Sequence, residues 1–314
     1  MTRVQTQPDP TTRQADAPQT PLRLALPKGR MAEGVRALLA DAGIRIGSSS
    51  RGYRPRVSLA GVEAKILKPQ NVLEMLDAGS RDLGFAGADW VAELGADVVE
   101  VVDTGMDAVR IVAAAPRQIL RTDADGTRRL PTEDELGRPV RVASELERIT
   151  KDWMRRAVPG GSFVRTYGAT EVFPPEDADC IVDITQTGAT LEANGLEIID
   201  TAMTSSTRLY ASRSAWDDPA RRARIEDIGL VLTSVLDARG RAVVEINADS
   251  DEVMRRIVEI LPCMRRPTVA RLFGEEGYAI KSVVPRSALA ELVPQVKSAG
   301  GTDLVITDVA QVVR

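Results

Sequence analysis

The 314-residue chain contains no histidine. This absence excludes the commonest general base, the Ser-His catalytic arrangements and the zinc sites that depend on imidazole. Any chemistry must therefore use carboxylates, lysine, arginine, hydroxyl groups, backbone amides or a metal held by oxygen. Phosphoryl and glycosyl transfer reactions proceed with such a set of groups.

Cysteine is scarce, and long apolar segments are missing. Cys180 and Cys263 lie in apolar stretches without a Cys-x-x-Cys pair, so we interpret both as reduced, buried thiols. No segment is long and apolar enough to cross a bilayer, and the N-terminus lacks the apolar run of a signal peptide. We therefore expect a cytoplasmic protein without membrane association.

Positive charge is not in excess, since 41 lysine and arginine residues stand against 45 aspartate and glutamate residues, for a formal net charge of −4. A broad nucleic-acid surface is therefore not expected, and any phosphate site must be local. Aromatic residues are only 4% of the chain. We interpret Trp90, Trp153 and Trp216 as packing residues rather than base-stacking platforms.

Short apolar strands alternate with amphipathic helices, which predicts an α/β protein with a largely parallel sheet. Residues 1–21 lack apolar periodicity and are predicted to be a disordered tail. Residues 22–115 and 200–222 are expected to form a first lobe, and residues 116–199 a second. The strands predicted around the junctions are separate and short: Val98–Val102, Val109–Ala115, Leu196–Ile199 and Arg208–Ser212.

The last part of the chain, residues 223–314, has a different pattern. Its apolar segments follow the order β-α-β-β-α-β, which predicts a ferredoxin-like domain of the ACT type. Arg221–Leu236 is expected to link this domain to the lobes as a helix or a strand. Such domains bind effectors or pair with copies of themselves, and the fold alone does not say which.

The strongest local motif begins at Asp183, where an apolar strand runs into a loop of small and hydroxyl residues and then a short helix. The amides of Thr187, Gly188, Ala189 and Thr190 would point outward at the start of this helix, an arrangement that binds phosphate. Asp183 would accept hydrogen bonds from ribose hydroxyls. The alternative is a capped turn with a buried aspartate.

The motif Asp183-x-x-x-Thr187-Gly188-x-Thr190 resembles the phosphoribosyl-pyrophosphate loop of phosphoribosyltransferases. Its extension through Leu191 and Asn194-Gly195-Leu196 is similar to the long form of ATP phosphoribosyltransferase. Further segments also resemble that family, over roughly residues 22–314: Leu24–Arg30, Leu67–Val72, Asp82–Gly87, Asp103–Gly105 with Val109-Arg110, and Arg266–Val269.

This resemblance implies two α/β lobes around a cleft, as in periplasmic binding proteins. It implies attack by N1 of ATP on C1 of phosphoribosyl pyrophosphate, with Mg²⁺ on the donor and pyrophosphate as leaving group. Thr185 and residues 187–190 would hold the 5-phosphate, and Asp183 the ribose. It also implies a homo-oligomer, a dimer or a hexamer built from dimers, and inhibition by histidine through the C-terminal domain.

Several charged residues are candidates for the remaining contacts. Lys28, Gly29 and Arg30 form a turn after the first strand and are expected to contact substrate phosphates; the alternative is a solvated basic turn. Arg51, with Arg54, lies in a Ser/Gly-rich loop that would close over pyrophosphate or remain a mobile surface loop. Glu145, with Thr150, faces the nucleotide or caps the next helix. Arg110 is expected to pair with a carboxylate such as Asp103.

The chain departs from the family pattern at Lys68, at Glu176 and at Gln186. These departures keep two alternatives open. One is a paralogue that uses another acceptor or serves as a non-catalytic partner subunit. The other is a small-molecule-binding protein, since two α/β lobes around a cleft also suit solute receptors.

Overall fold

The computed structural model describes residues 21–47 and 52–313. The predicted tail lies almost wholly outside these residues. The β-strands are β1 Leu22–Pro27, β2 Val62–Leu67, β3 Leu83–Gly87, β4 Val98–Pro116, β5 Arg121–Thr122, β6 Arg128–Arg129, β7 Arg141–Ser144, β8 Ser162–Arg165, β9 Cys180–Thr185, β10 Leu196–Ser212, β11 Arg241–Ala248, β12 Thr268–Arg271, β13 Tyr278–Pro285 and β14 Thr302–Asp308.

The helices are α1 Met31–Asp41, α2 Pro69–Asp77, α3 Ala88–Leu94, α4 Glu133–Leu136, α5 Glu147–Ala157, α6 Ala189–Ala193, α7 Arg213–Trp216, α8 Pro219–Arg239, α9 Asp251–Ile260 and α10 Leu289–Ser298. In α1 the apolar stripe expected from the sequence is confirmed, since Val35, Leu38 and Leu39 are buried on one face. Among the helices of the described residues, none combines the length and apolar character needed to cross a membrane.

The main sheet has eight strands in the order β2-β1-β3-β10-β4-β9-β7-β8. The two outer groups, β2-β1-β3 and β9-β7-β8, are internally parallel, as the alternation of strands and helices predicts. The two central strands, β10 and β4, run antiparallel to each other and to their outer neighbours. The sheet is therefore mixed, with parallel flanks and an antiparallel centre.

The antiparallel centre, which we call the central ribbon, consists of β4 and β10. Each is one long strand where the sequence predicted two short ones. The polar residues around Asp103 and Asp107 interrupt the apolar pattern but are paired across the ribbon, because Asp103 accepts a hydrogen bond from Ser206 Oγ (2.7 Å) and Asp107 from Thr207 Oγ1 (2.8 Å). The left-handed backbone of Asp107 (φ 50°) marks an irregularity that a propensity pattern cannot distinguish from a loop.

The C-terminal domain confirms the predicted β-α-β-β-α-β order. Its four strands are arranged β12-β13-β11-β14, all antiparallel to their neighbours, with α9 and α10 against one side. This is the ferredoxin-like arrangement. The segment that links it to the lobes is helix α8, which Asp218 begins by accepting hydrogen bonds from the amides of Ala220 and Arg221.

A buried ion cluster ties the first parallel group to α8. Asp82 has no exposed surface and is bonded by Arg23 Nη2 (2.7 Å) and Arg221 Nη1 (2.8 Å). Burial alone raises the pKa of Asp82, but the hydrogen bonds and charges of these arginines outweigh it and hold that pKa below its ordinary value.

Candidate active site

Both parallel groups direct their carboxyl ends to the middle of the central ribbon. At the end of β3, Gly87 pairs with Thr207 of β10. At the end of β9, Thr185 pairs with Arg110 of β4, which in turn lies opposite Thr204 of β10. Ligands of α/β sheets bind beyond the carboxyl ends of the strands. The middle of the ribbon is therefore the candidate site.

The loop after β9 has a fixed local conformation. Gly188 adopts a left-handed φ of 88° just before the five-residue helix α6. Its amide donates a hydrogen bond to Thr185 Oγ1 at 2.9 Å, and the Ala189 amide donates to Thr187 Oγ1 at 3.3 Å. Two of the amides that the sequence suggested would be unpaired are thus bonded by hydroxyls of the same loop.

The other two amides of the loop remain open. Within residues 21–47 and 52–313, the Thr187 and Thr190 amides have no hydrogen-bond partner. Both residues are exposed. The loop therefore offers two amide donors and nearby threonine hydroxyls to a ligand.

Asp183 lies half-buried at the end of β9, where its Oδ1 accepts a hydrogen bond from the Ile184 amide at 2.7 Å. Burial raises the pKa of Asp183, and the carboxylates of Glu171 and Glu145 raise it further against the opposing effect of the Ile184 amide. A carboxyl group with a perturbed pKa near the carboxyl end of a strand is a candidate for a functional site.

Glu171 was not a candidate from the sequence. It lies in a short 3₁₀ turn, Thr170–Val172, that follows the carboxyl end of β8. Its position after a strand that runs parallel to β9 is the signal that sequence reasoning could have used.

Glu145 follows β7 and is exposed. It does not cap the next helix: the first free amides of α5, those of Arg148 and Ile149, are bonded by Glu93 from α3 at 3.3 and 3.1 Å. Thr150 is completely buried, and its Oγ1 has no hydrogen-bond partner among the described residues. Of the two readings for this pair, helix capping is wrong, and Glu145 remains a candidate for the nucleotide.

The basic turn is set by backbone bonds. The Lys28 amide donates to the Leu67 carbonyl at 2.8 Å, and Gly29 adopts a φ of 83°. Lys28, Gly29 and Arg30 are exposed, and Lys28 Nζ lies 6.0 Å from the centre of the Tyr53 ring. In the described chain this turn makes no hydrogen bond or ion pair with the loop after β9. Arg51 lies outside the described residues.

The expected pairing of Arg110 with Asp103 is wrong. Asp103 pairs with Arg208 instead, at 3.1 Å, because the ribbon register places those two residues opposite each other. Arg110 is half-buried, and within the described ranges its guanidinium has no ion-pair or hydrogen-bond partner. A cation is thus available at the middle of the ribbon.

For a metal ion, the side chains near the loop supply oxygen donors. Asp183 and Glu145 carry carboxylates, which are ligands that Mg²⁺ accepts. In the part of the chain that the structure describes, no three acidic or cysteine side chains are grouped so as to hold a metal ion by themselves.

Comparison with known proteins identifies relatives over most of the chain. The family model described as HisG, ATP phosphoribosyltransferase, matches residues 68–234, and the model of the HisG C-terminal domain matches residues 238–311. The ATP phosphoribosyltransferase of Chlorobium luteolum is 33% identical over 300 residues, covering 93% of this chain and 97% of that protein. The enzyme of Chlorobium chlorochromatii is 34% identical over 284 residues, covering 89% and 93%.

Among solved structures, a chain of the ATP phosphoribosyl transferase (HisG:HisZ) complex from Thermotoga maritima is similar, with a TM-score of 0.54 and 24% identity. The match covers 68% of this chain and 98% of that one. At this identity the similarity shows a shared fold, and it confirms the predicted α/β class.

Proposed function

The chain belongs to the ATP phosphoribosyltransferase family, enzymes of the first step of histidine biosynthesis, and we propose that it transfers the phosphoribosyl group of phosphoribosyl pyrophosphate to N1 of ATP. The observation that carries this proposal is the loop from Asp183 to Thr190, with two open amides at the carboxyl end of β9. The products are phosphoribosyl-ATP and pyrophosphate.

The donor is held by the loop. The Thr187 and Thr190 amides and the threonine hydroxyls bind the 5-phosphate, with Gly188 and Ala189 shaping the backbone. Asp183 accepts hydrogen bonds from the ribose hydroxyls, since its Oδ2 is not used by the described residues. The reaction passes through an oxocarbenium-like transition state without a covalent intermediate, so catalysis consists of positioning and electrostatic stabilisation.

The leaving group and the acceptor are held by the basic residues. Lys28, Arg30 and Arg51 bind the pyrophosphate and the triphosphate, with the Gly29 backbone allowing close approach. Glu145 faces the nucleotide. The exposure of Lys28 and Arg30 supports this role, because their charges are not consumed by ion pairs within the described residues.

The donor enters with Mg²⁺ bound to its pyrophosphate oxygens. The ion offsets the charge of the leaving group. Asp183 and Glu145 are the carboxylates that would assist in holding it.

Regulation and assembly complete the proposal. Histidine binds the C-terminal domain, residues 223–314, and inhibits the enzyme, which works in the cytoplasm as a dimer or a hexamer. The match of the family's C-terminal domain to residues 238–311 supports a regulatory domain in this chain. Histidine titration into the assay tests inhibition, and light scattering tests the oligomer.

The experiment is an assay of purified protein with ATP, phosphoribosyl pyrophosphate and Mg²⁺, with detection of phosphoribosyl-ATP. The Asp183→Ala variant serves as the inactive control. One contrary result is a folded protein that binds the donor and gives product with another nucleotide but not with ATP. That result would contradict the proposal that ATP is the acceptor. A protein that binds neither substrate would contradict the whole proposal.

A further inference from the structure

Arg110 lies beside the loop that receives the donor. It is opposite Thr185 in β9 and opposite Thr204 in β10. Opposed residues of antiparallel strands project to the same face of a sheet, with Cβ atoms about 4.5–5.5 Å apart. Arg110 therefore shares a face with Thr185, and with Asp183 two residues before it.

The apolar clusters on the two sides of the sheet identify this face. Val112 and Ile181 pack in the cluster that contains Leu191 of α6, whereas Ile111 and Val182 pack in the cluster on the opposite side. Because side chains alternate along a strand, Arg110 is on the side of Val112. This is the side on which the loop and α6 lie.

The charge around the loop calls for a cation. The Glu145 and Glu171 carboxylates raise the pKa of Asp183 beyond the effect of burial, so the surroundings are negative. A phosphate monoester adds a charge of about −1.5 to −2 at neutral pH. The loop's own donors, amides and hydroxyls, carry no net charge, so a neighbouring cation would offset this repulsion and strengthen binding.

Arg110 is the ribbon arginine that is available for this task. Arg208, the other arginine of the central ribbon, forms ion pairs with Glu100 and Asp103. Arg110 is half-buried, and among the residues described its guanidinium has no ion-pair or hydrogen-bond partner. A guanidinium without a partner can donate charge-assisted hydrogen bonds to an anion.

We propose that Arg110 binds the 5-phosphate of the phosphoribosyl donor, together with the loop from Thr185 to Thr190. Arginine suits this task because its planar group donates two parallel hydrogen bonds to one phosphate. The proposal rests on the proposed function, since it adds a residue to the same donor site.

The test measures binding by calorimetry with three probes: ribose 5-phosphate, pyrophosphate with Mg²⁺, and ATP. Arg110→Gln should weaken ribose 5-phosphate binding about 10-fold to 100-fold, the value of a charge-assisted hydrogen bond. ATP and pyrophosphate affinities should stay within about twofold, which is below the value of one hydrogen bond. The affinity of Arg110→Lys for ribose 5-phosphate should lie between those of the wild type and Arg110→Gln, because lysine keeps the charge but loses the paired donors.

The matched control is Arg117→Gln. Arg117 follows the end of β4, seven residues beyond Arg110, and is 65% exposed. The Arg117→Gln variant loses the same charge from the same part of the chain, and it should bind all three probes with wild-type affinity. Circular dichroism and melting temperature verify that each variant is folded.

Two results would overturn the assignment of Arg110: a folded Arg110→Gln variant that binds ribose 5-phosphate with wild-type affinity, or one that loses all three probes equally. The second would indicate a structural role. If the wild type itself fails to bind ribose 5-phosphate, the donor site is wrong, which refutes the proposed function separately from the role of Arg110.

Discussion

Replacing Gly188 with alanine tests whether the loop conformation holds the donor. Gly188 has a φ of 88°, and a Cβ there would lie 3.2 Å from Ile198 Cδ1. A residue with a side chain costs about 1–2 kcal/mol in the left-handed region. Rotation of the turn distributes this strain over the loop and displaces the open amides of Thr187 and Thr190. Losing one hydrogen bond from these amides to a charged phosphate costs about 1.5–3 kcal/mol, so at about 1.4 kcal/mol per tenfold change the donor KM should rise about 10-fold to 100-fold.

Gly195→Ala is the matched control at the other end of α6. Its φ is 73°, and a Cβ would meet nothing within 4 Å. Both variants should lose about 1–2 kcal/mol of unfolding free energy, measured by urea denaturation. Only Gly188→Ala should raise the donor KM, measured at saturating ATP. If Gly188→Ala lost stability yet kept the wild-type donor KM, the link between this turn and donor binding would be refuted.

Substitutions at three further residues, Asp183, Asp82 and Glu93, give additional tests. Because the pKa of Asp183 is raised in the folded state, the folded protein binds that proton more tightly, and the contribution of Asp183 to the unfolding free energy rises as the pH falls from 7 towards the ordinary pKa of about 4. Asp183→Asn should therefore keep or increase the unfolding free energy at pH 7, measured in urea, while donor affinity falls; a loss of stability at pH 7 would contradict this. Asp82→Asn should lower the unfolding free energy by about 3 kcal/mol, because Arg23 and Arg221 lose a fully buried partner; a change below about 1 kcal/mol would contradict it. Glu93→Ala should cost about 1 kcal/mol of stability through the lost cap of α5, seen as a lower melting temperature, and Glu93→Gln should lose less; equal losses would contradict the capping role.

The fold was predictable where the pattern is local. The stripe of α1 and the order of the C-terminal domain follow from apolar spacing within short windows. The central ribbon was not predictable in this way. Asp103 and Asp107 resemble loop residues until the hydroxyls of Ser206 and Thr207, about a hundred positions away, are placed beside them.

The candidate site also combines features that local sequence predicts with features that depend on distant contacts. The loop from Asp183 to Thr190 is contiguous, so its shape was suggested by the sequence, although the bonds from the Gly188 and Ala189 amides to threonine hydroxyls were not anticipated. The partner of Asp103 depends on strand register, which the chain alone does not reveal. Glu171 influences Asp183 through space, from a turn after another strand.

The register of the central ribbon brings together the two ends of a long segment of the chain. Pro116, where the chain leaves the ribbon, lies directly opposite Leu196, where it returns. Everything between them is an insertion whose two ends are cross-strand neighbours. A gene that lost this stretch would need only a tight hairpin to rejoin the two strands, so the segment that carries β5 to β9 could be exchanged without changing the connectivity of the rest of the chain.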